Sequence, residues 1–432
     1  MRIEGSSPCR VAVLGFRRTG RAVAAHVLAA GGELFVSEAG TLSEGDRRFL
    51  SRAGAGFEEG GHTPACLAGA DLVVPSPAVP PDHPILEEAC ARGVPVRSEL
   101  ELAASLLGEV PLIAVTGTNG KSTTARMIAS MLLEEHGPVV LAGNIGVPLI
   151  AVIGEARAAS YVVVEVSSFQ LAQSHALRPH VALLLNVTPD HIDYHRSFAR
   201  YVAAKRRLFE HQEPSDWAIL PSGLESMHAG SMSRVRFYDR EPIGPEPVWR
   251  GLAPHNVVNL RAAVCACRVA EDGFDLSAVD PDVMKEAARL PHRLVTVGEV
   301  NGVQVIDDSK STNAASTIAA LATVDRPTVL LLGGRHKEQG YDDLARSIAT
   351  SDVRRVVLFG EAAAFLGEKL AAAGVHPVER CRSLTDATRR GLEIARRGEL
   401  LLLSPGCSSL DAFRSYARRG RAFSRIVRRA AS

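Results

Sequence analysis

The chain has no excess of charge of either sign, no cysteine pairing pattern and no membrane-length apolar run, and each absence removes a class of function. Lysine and arginine number 49 against 48 acids, so no overall basic field draws nucleic acid or an anionic membrane toward it. Small molecules are the expected partners, with neither nucleic acid nor membrane among them. The seven cysteines are an odd number, scattered from Cys9 to Cys407 without a C-x-x-C pair. That fits reduced thiols in a cytoplasm better than disulfides or a zinc site. No apolar stretch approaches the ~18 residues of a membrane span, and residues 1–10 lack the apolar core of a signal peptide. The expectation is a cytoplasmic protein, read as a monomer. Internal repeats and low-complexity tracts are also missing. Length is not: 432 residues suggest about three domains.

What is present is organised around Thr116-Gly117-Thr118-Asn119-Gly120-Lys121-Ser122-Thr123-Thr124. The apolar run Leu112-Ile113-Ala114-Val115 predicts a buried strand, and residues 125–135 repeat apolar side chains at helical spacing. The motif is therefore strand, glycine-punctuated turn, helix. Glycines let backbone N–H groups crowd a phosphate chain, and the helix presents its positive N-terminal end. Lys121 adds a full charge, and the Ser122 hydroxyl can reach a magnesium ion. We read this as an ATP site. Val115 stands where the first glycine of G-x-x-x-x-G-K-[ST] belongs, so the loop is a shortened form. A lone G-K-S is a common turn; the flanking strand and helix favour phosphate.

Ahead of this loop, Val11-Ala12-Val13-Leu14, Gly15-Phe16-Arg17-Arg18-Thr19-Gly20, a helix over residues 22–30 and a strand over 33–36 ending at Ser37-Glu38 have the layout of half a dinucleotide fold. Arg17 replaces the middle glycine of G-x-G-x-x-G. That keeps a pyrophosphate farther from the turn, although an arginine can pair with one instead. The same unit without a ligand is the plainer alternative. A strand over 71–74 ends in Pro75-Ser76-Pro77, at the carboxyl end where open α/β sheets bind ligands. A linking helix is expected over 99–107.

Beyond the loop, Gly143-Asn144-Ile145-Gly146 is a tight turn. A strand over 161–164 carries Glu165 at its end, about 45 residues past Lys121, where ATPases hold the phosphate-bound metal. An acid merely meeting solvent is the alternative. A strand over 181–185 leads into Asn186 and His191; a lone loop histidine is more often solvated than a ligand. Lys205, on a helix over 201–209, is by itself an ordinary surface charge. Residues 218–249 loosen into short strands with a Pro/Gly run at 241–247. Asn256 and Asn259 share a helix face, suited to a nucleobase or ribose and equally to capping. A hairpin turned at Asn301-Gly302 then ends in Asp307-Asp308-Ser309-Lys310. Strands before Gly333-Gly334-Arg335-His336-Lys337, Gly360-Glu361 and Ser404-Pro405-Gly406 predict a second doubly wound sheet. The basic stretch 414–429 reads as a surface helix.

Several of these motifs recur together in one family. With residues 116–124, Glu165-Val166-Ser167-Ser168-Phe169-Gln170-Leu171, residues 255–263, Leu290-Pro291-His292-Arg293, Asp308-Ser309-Lys310-Ser311-Thr312-Asn313 and residues 403–411 in order, the chain resembles the Mur ligases of peptidoglycan synthesis. It is most similar to the glutamate-adding members. The resemblance spans all three segments and implies an α/β protein of three domains: Rossmann-like over 1–98, P-loop ATPase-like over 99–289, Rossmann-like over 290–432.

It also implies an ATP-driven ligase. The alanyl carboxylate of UDP-N-acetylmuramoyl-L-alanine would become an acyl phosphate, and glutamate, read as the D enantiomer, would displace phosphate. The resemblance implies two magnesium ions, one on Ser122 and Glu165, the other on His191 and a carbamylated Lys205. ATP would be held by Gly117, Thr118, Asn119, Gly120, Lys121, Ser122 and Thr123 with Asn256, Asn259, Arg293 and Asp308. Lys310 and Thr312 would face the reacting groups, so that Lys121, Glu165, His191, Lys205 and Lys310 make up the catalytic set. Lys337, Ser409, Leu410 and Tyr416 would surround glutamate, Tyr416 standing where a phenylalanine is familiar. Arg18, Thr19, Ser37, Glu38, Ser76, Asn144 and Ser167 would meet the UDP-linked substrate.

Three alternatives remain. Folylpolyglutamate synthase shares the short phosphate loop but lacks a UDP-binding first domain, whereas about 100 residues precede the loop here. A dinucleotide-dependent oxidoreductase built on residues 15–20 leaves Lys121 and Glu165 without a task. A non-catalytic nucleotide-binding regulator would bind ATP without releasing phosphate when both substrates are supplied.

Overall fold

The computed structural model describes residues 9–244, 249–337 and 340–431. The first eight residues of the stretch read for a signal peptide, and residues 245–247 of the Pro/Gly run, lie outside the described residues. Two compact units form, one from Met1–Asn186, Val202–Arg250 and Val258–Met284, the other from Val187–Tyr201, Gly251–Val257 and Lys285–Ser432.

The first unit contains two parallel sheets. Arg10–Leu14 (β1), Glu33–Glu38 (β2), Gly56–Glu59 (β3) and Leu72–Pro75 (β4) pair in the order β3-β2-β1-β4. The order reverses between β1 and β4, so the turn after β1 and the loop after β4 flank one crevice. Helix α1 (Arg18–Ala29) begins four residues earlier than the apolar periodicity predicts, which puts Arg18 and Thr19 in its first turn. Gly20 makes this possible: a Cβ there would stand 2.0 Å from the Gly15 carbonyl oxygen.

The second sheet comprises Leu112–Thr116 (β5), Val139–Gly143 (β6), Tyr161–Glu165 (β7), Val181–Leu184 (β8), Trp217–Leu220 (β9) and Arg234–Phe237 (β10), in the order β10-β9-β8-β5-β7-β6. Every residue of β5, β7 and β8 is buried, as a parallel sheet covered on both faces requires. Helix α2 (Glu99–Ala104) links the two sheets and is shorter than expected. Helix α3 (Lys121–His136) follows the phosphate loop, and helix α4 (Pro254–Ala270) carries Asn256 and Asn259. Polar side chains stitch the two sheets together. Arg18 Nη1 donates to Gly146 O at 2.6 Å, and Gln173 Nε2 donates to Val79 O at 2.5 Å.

In the second unit, Val295–Val300 (β11), Val303–Asp307 (β12), Thr328–Gly333 (β13), Val353–Phe359 (β14), Val378–Arg380 (β15) and Leu400–Leu403 (β16) pair in the order β11-β12-β16-β13-β14-β15. Among the described strand pairs of this sheet, β11–β12 is antiparallel and the others are parallel. Its turn residues Asn301 and Gly302 both have positive φ, +52° and +81°, matching the twist of a tight hairpin. Alternate residues feed two cores: Leu330, Leu332 and Leu402 on one face, Leu331, Leu401 and Leu403 on the other.

The C-terminal helix α5 (Tyr416–Ala431) corrects one expectation. It is not simply a surface helix, because Phe423 and Val427 enter the second core and Arg419 is wholly buried. Arg419 donates to Ser309 Oγ at 3.0 Å, Ser309 O at 2.9 Å and Cys407 O at 2.9 Å. Those bonds meet the cost of burying a guanidinium. Among the described residues no helix is long and apolar enough to cross a membrane.

Glu99 in α2 gives the first unit a pH dependence. Burial pushes its carboxyl up to about 7, against the opposing pull of the Ile150 N–H and of Arg18. The folded state then holds a proton that the unfolded state has already lost, so stability falls as pH rises from about 4.5 toward 7. Glu99→Gln should remove roughly 2 kcal/mol of the difference between pH 5 and pH 7.5 seen in denaturant unfolding. An unchanged slope would contradict this source.

Candidate functional site

The turn after β5 is moulded from both sides. Gly117 and Gly120 adopt φ of +153° and +90°, open to glycine and strained for other residues. A Cβ on Gly120 would stand 2.4 Å from Asn259 Oδ1 and 3.0 Å from Leu185 Cδ1. Asn186, just past β8, accepts the N–H groups of Thr118 and Asn119 on Oδ1 at 3.1 and 2.9 Å and returns a bond to Asn119 O at 3.1 Å. Sequence reasoning gave Asn186 no role; its signal was its place at a strand end beside the loop strand. Lys121 folds back over its own loop, donating to the carbonyls of Gly117 and Thr118 at 2.8 Å each. Thr123 is buried.

Beside the loop stands an oxygen-rich cluster. Ser122 Oγ donates to Glu165 Oε2 at 2.6 Å, and Asn144 Nδ2 donates to Glu165 Oε1 at 2.7 Å. Asn144, expected at the UDP-linked substrate, is thus in contact with the metal candidate. Gly143 permits the approach, since a Cβ there would meet Glu165 O at 2.5 Å. Among the described residues no three His, Cys, Asp or Glu side chains gather as a metal cage. One carboxylate with a neighbouring hydroxyl suits magnesium, which takes few protein ligands and completes its shell from phosphates and water. Lys205 is no surface charge: it is buried, with Nζ 2.8 Å from Gly117 O and 3.4 Å from Thr116 Oγ1. Ser167 caps the short helix Ser168–Ala172 through a reciprocal box with Gln170.

In the first sheet, Glu38 accepts the N–H groups of Phe16 at 2.6 Å and Gly40 at 3.0 Å, holding the turn after β1. Arg17 and Arg18 are exposed at the start of α1, with Thr19 half-buried. Ser76 lies against that turn, 2.9 Å from where a Cβ on Gly15 would be. Ser37 is fully buried, its hydroxyl bonded to Glu58 Oε1 at 2.6 Å and to His62 Nδ1 at 2.7 Å.

The second unit assembles its own polar groups at the carboxyl ends of β12, β13 and β16. Asp308 is buried, accepting from Ser311 Oγ at 2.5 Å and Ser404 Oγ at 2.7 Å, with Arg293 Nη1 3.6 Å away. Burial pushes its carboxyl up against the pull of Arg293. His292 Nδ1 lies 2.6 Å from Asp307 Oδ2. Lys310 Nζ sits 5.0 Å from the Tyr416 ring centre and donates to its hydroxyl at 3.3 Å. Lys337 Nζ pairs with Asp190 Oδ1 at 2.6 Å, and Asn313 donates to Asp190 Oδ2 at 3.1 Å. Burial raises the Asp190 carboxyl, but Lys337 and His191 outweigh it and hold it at about 2. His191 adopts a φ of +55° next to this acid. Asp190 is a second residue that sequence reasoning passed over. Ser409 is buried, Thr312 half-buried and Leu410 exposed.

The Asn259 contact makes a testable distinction between two glycines. Gly120→Ala should cost roughly 2 kcal/mol from strain plus overlap and weaken ATP binding. Gly146→Ala, at φ +69° with nothing within 4 Å of its Cβ, should cost roughly 1 kcal/mol from strain alone and spare ATP binding. Denaturation and nucleotide titration of both variants check this. Equal losses would contradict the moulding role of Asn259.

Three family models match the chain in order: MurD N-terminal domain over residues 10–85, Mur ligase middle domain over 115–238, and Mur ligase, glutamate ligase domain over 292–407. The UDP-N-acetylmuramoylalanine–D-glutamate ligase of Pelotomaculum thermopropionicum is 34% identical, with 97% of each chain covered. Among solved structures, the MurF ligase of Thermotoga maritima in complex with ADP aligns with a TM-score of 0.60 at 16% identity, over 92% of this chain and 96% of that one. A bifunctional folylpolyglutamate synthase/dihydrofolate synthase with Mn, AMPPNP and L-glutamate bound aligns at 0.55 and 15% identity, over 76% of this chain and 93% of its own. The two structural likenesses concern the fold. The sequence identity over nearly the whole length goes further, and by it the chain belongs to the Mur ligase family.

Proposed function

We propose that the chain adds D-glutamate to UDP-N-acetylmuramoyl-L-alanine, cleaving ATP to ADP and phosphate through an acyl phosphate, in peptidoglycan precursor synthesis. The observation that carries this reading is the Ser122–Glu165–Asn144 cluster beside a glycine-moulded loop ending in Lys121. The name of the 34%-identical relative supports the substrates and the enantiomer. The MurD N-terminal match over residues 10–85 favours this reaction over folate chemistry, with domains divided near residues 98 and 289. Soluble nucleotide-linked substrates make the cytoplasm the working compartment.

A carboxylate does not acylate an amine until its oxygen is converted into a leaving group. In the first step an alanyl carboxylate oxygen attacks the γ-phosphorus, and ADP departs. In the second the glutamate amine attacks the acyl carbon, loses a proton, and phosphate departs with the oxygen it took from the carboxylate. Both steps depend chiefly on positioning and charge neutralisation. The loop N–H groups and Lys121 would hold the transferred phosphoryl group; Asn259, Asn256, Arg293 and Asp308 would hold the rest of ATP. Magnesium would supply positive charge to the phosphates, with Ser122 and Glu165 as ligands to one ion and His191 with a carbamylated Lys205 to a second. The carbamate would turn a buried cation into an anionic ligand. Lys310 and Thr312 would face the reacting groups, while Lys337, Ser409, Leu410 and Tyr416 would receive glutamate. Arg18, Thr19, Glu38 and Ser76 would meet the UDP moiety.

Phosphate release with ATP and UDP-N-acetylmuramoyl-L-alanine, scanned across amino acids, tests the function. D-glutamate should stimulate release and L-glutamate should not; stimulation by neither enantiomer would refute the reading. Lys121→Ala should lower turnover by at least about a thousandfold with an unchanged unfolding curve. Labelling with 13C-bicarbonate should give a carbamate resonance that Lys205→Arg removes; its absence from the active wild type would refute the carbamate.

A further inference from the structure

The near-neutral total hides a separation of charge. Residues 412–432 contain seven arginines and no acid, so the rest of the chain carries 42 basic against 48 acidic residues. Six of the seven, Arg414, Arg418, Arg421, Arg425, Arg428 and Arg429, are exposed, and the seventh is the buried Arg419. At about 100° per residue, the five exposed arginines within α5 fall in an arc of roughly 100° along about 16 Å of axis. The buried residues Arg419, Gly420, Phe423 and Val427 occupy the opposite side, so packing fixes the stripe outward. Among the described residues, Arg414, Arg418, Arg421, Arg425 and Arg429 make no ion pair with an acid.

We propose that this arginine stripe is a docking surface for an anionic lipid bilayer, engaging its phosphate headgroups. Three features select a bilayer. The stripe runs for about 16 Å along one exposed helix face, and a bilayer supplies mobile charges that need no shape complementarity. From Ala417 onward its exposed face carries no aromatic side chain, the residues that protein interfaces concentrate and that single-stranded nucleic acid stacks upon. The apolar side of α5 is committed to the core, so attachment is electrostatic and reversible, without insertion. Each arginine near such a surface contributes about fivefold in affinity, and the attraction weakens beyond about 10 Å at ordinary salt.

The test is co-sedimentation of the full chain with vesicles of phosphatidylglycerol and phosphatidylcholine in equal parts, against phosphatidylcholine alone. Binding is expected to the anionic vesicles only, and to be lost between about 0.05 M and 0.5 M salt. The triple variant Arg421→Gln/Arg425→Gln/Arg429→Gln should lose roughly a hundredfold in partitioning while releasing phosphate in solution at the wild-type rate. Equal binding to neutral vesicles, or a triple variant that partitions as the wild type does, would overturn the proposal. Tighter binding to duplex RNA of equal phosphate content would assign the stripe to nucleic acid and overturn it as well.

Discussion

The close approach of Asn259 and Leu185 to Gly120 is the constraint on which the site depends. A loop that tight cannot carry a side chain at its corner, so the helix begins with Gly120 at a left-handed φ and delivers Lys121 and Ser122 in sequence. Ser122 is thereby brought to Glu165, Glu165 holds Asn144, and the turn containing Asn144 continues to Gly146, whose carbonyl Arg18 grips. A contact made to fit one glycine therefore leads, through hydrogen bonds, from the phosphate loop to the first sheet. That continuity couples the phosphate loop to the first sheet.

The buried polar groups follow the same economy. Lys205 lies under the loop against Gly117 and Thr116, and Asp308 is held by two hydroxyls with Arg293 nearby. Groups of this kind are costly unless bonded or paired. Their concentration at strand ends follows where open α/β sheets gather ligands.

Much of this was legible in the sequence. Parallel strands buried on both faces must read as apolar runs, so β5, β7, β13 and β16 stood out, and Asn301-Gly302 located its hairpin. The start of α1 was not legible, because apolar periodicity cannot register a helix whose first turn is Arg18-Thr19-Gly20. Nor was the burial of Arg419: a basic run looks solvated until Ser309 and Cys407 supply its acceptors. Asn186 and Asp190 act through contacts far away in sequence, with Thr118 and Lys337, which no local pattern encodes. One signal could have found more. The chain has six lysines against 43 arginines, and four of the six are Lys121, Lys205, Lys310 and Lys337. Where arginine is the default cation, a retained lysine marks a need for a compact ammonium or a modifiable amine. The total of +1 averages an acidic remainder with a basic final helix.

Under the proposed reaction the loop serves the transfer of a phosphoryl group onto a carboxylate, which then yields to an amine. Oxygen tracing tests it most directly. With 18O in the alanyl carboxylate of UDP-N-acetylmuramoyl-L-alanine, and ATP and D-glutamate supplied, each turnover should release phosphate carrying one labelled oxygen. Product formation with unlabelled phosphate would contradict an acyl-phosphate route and the account built on it.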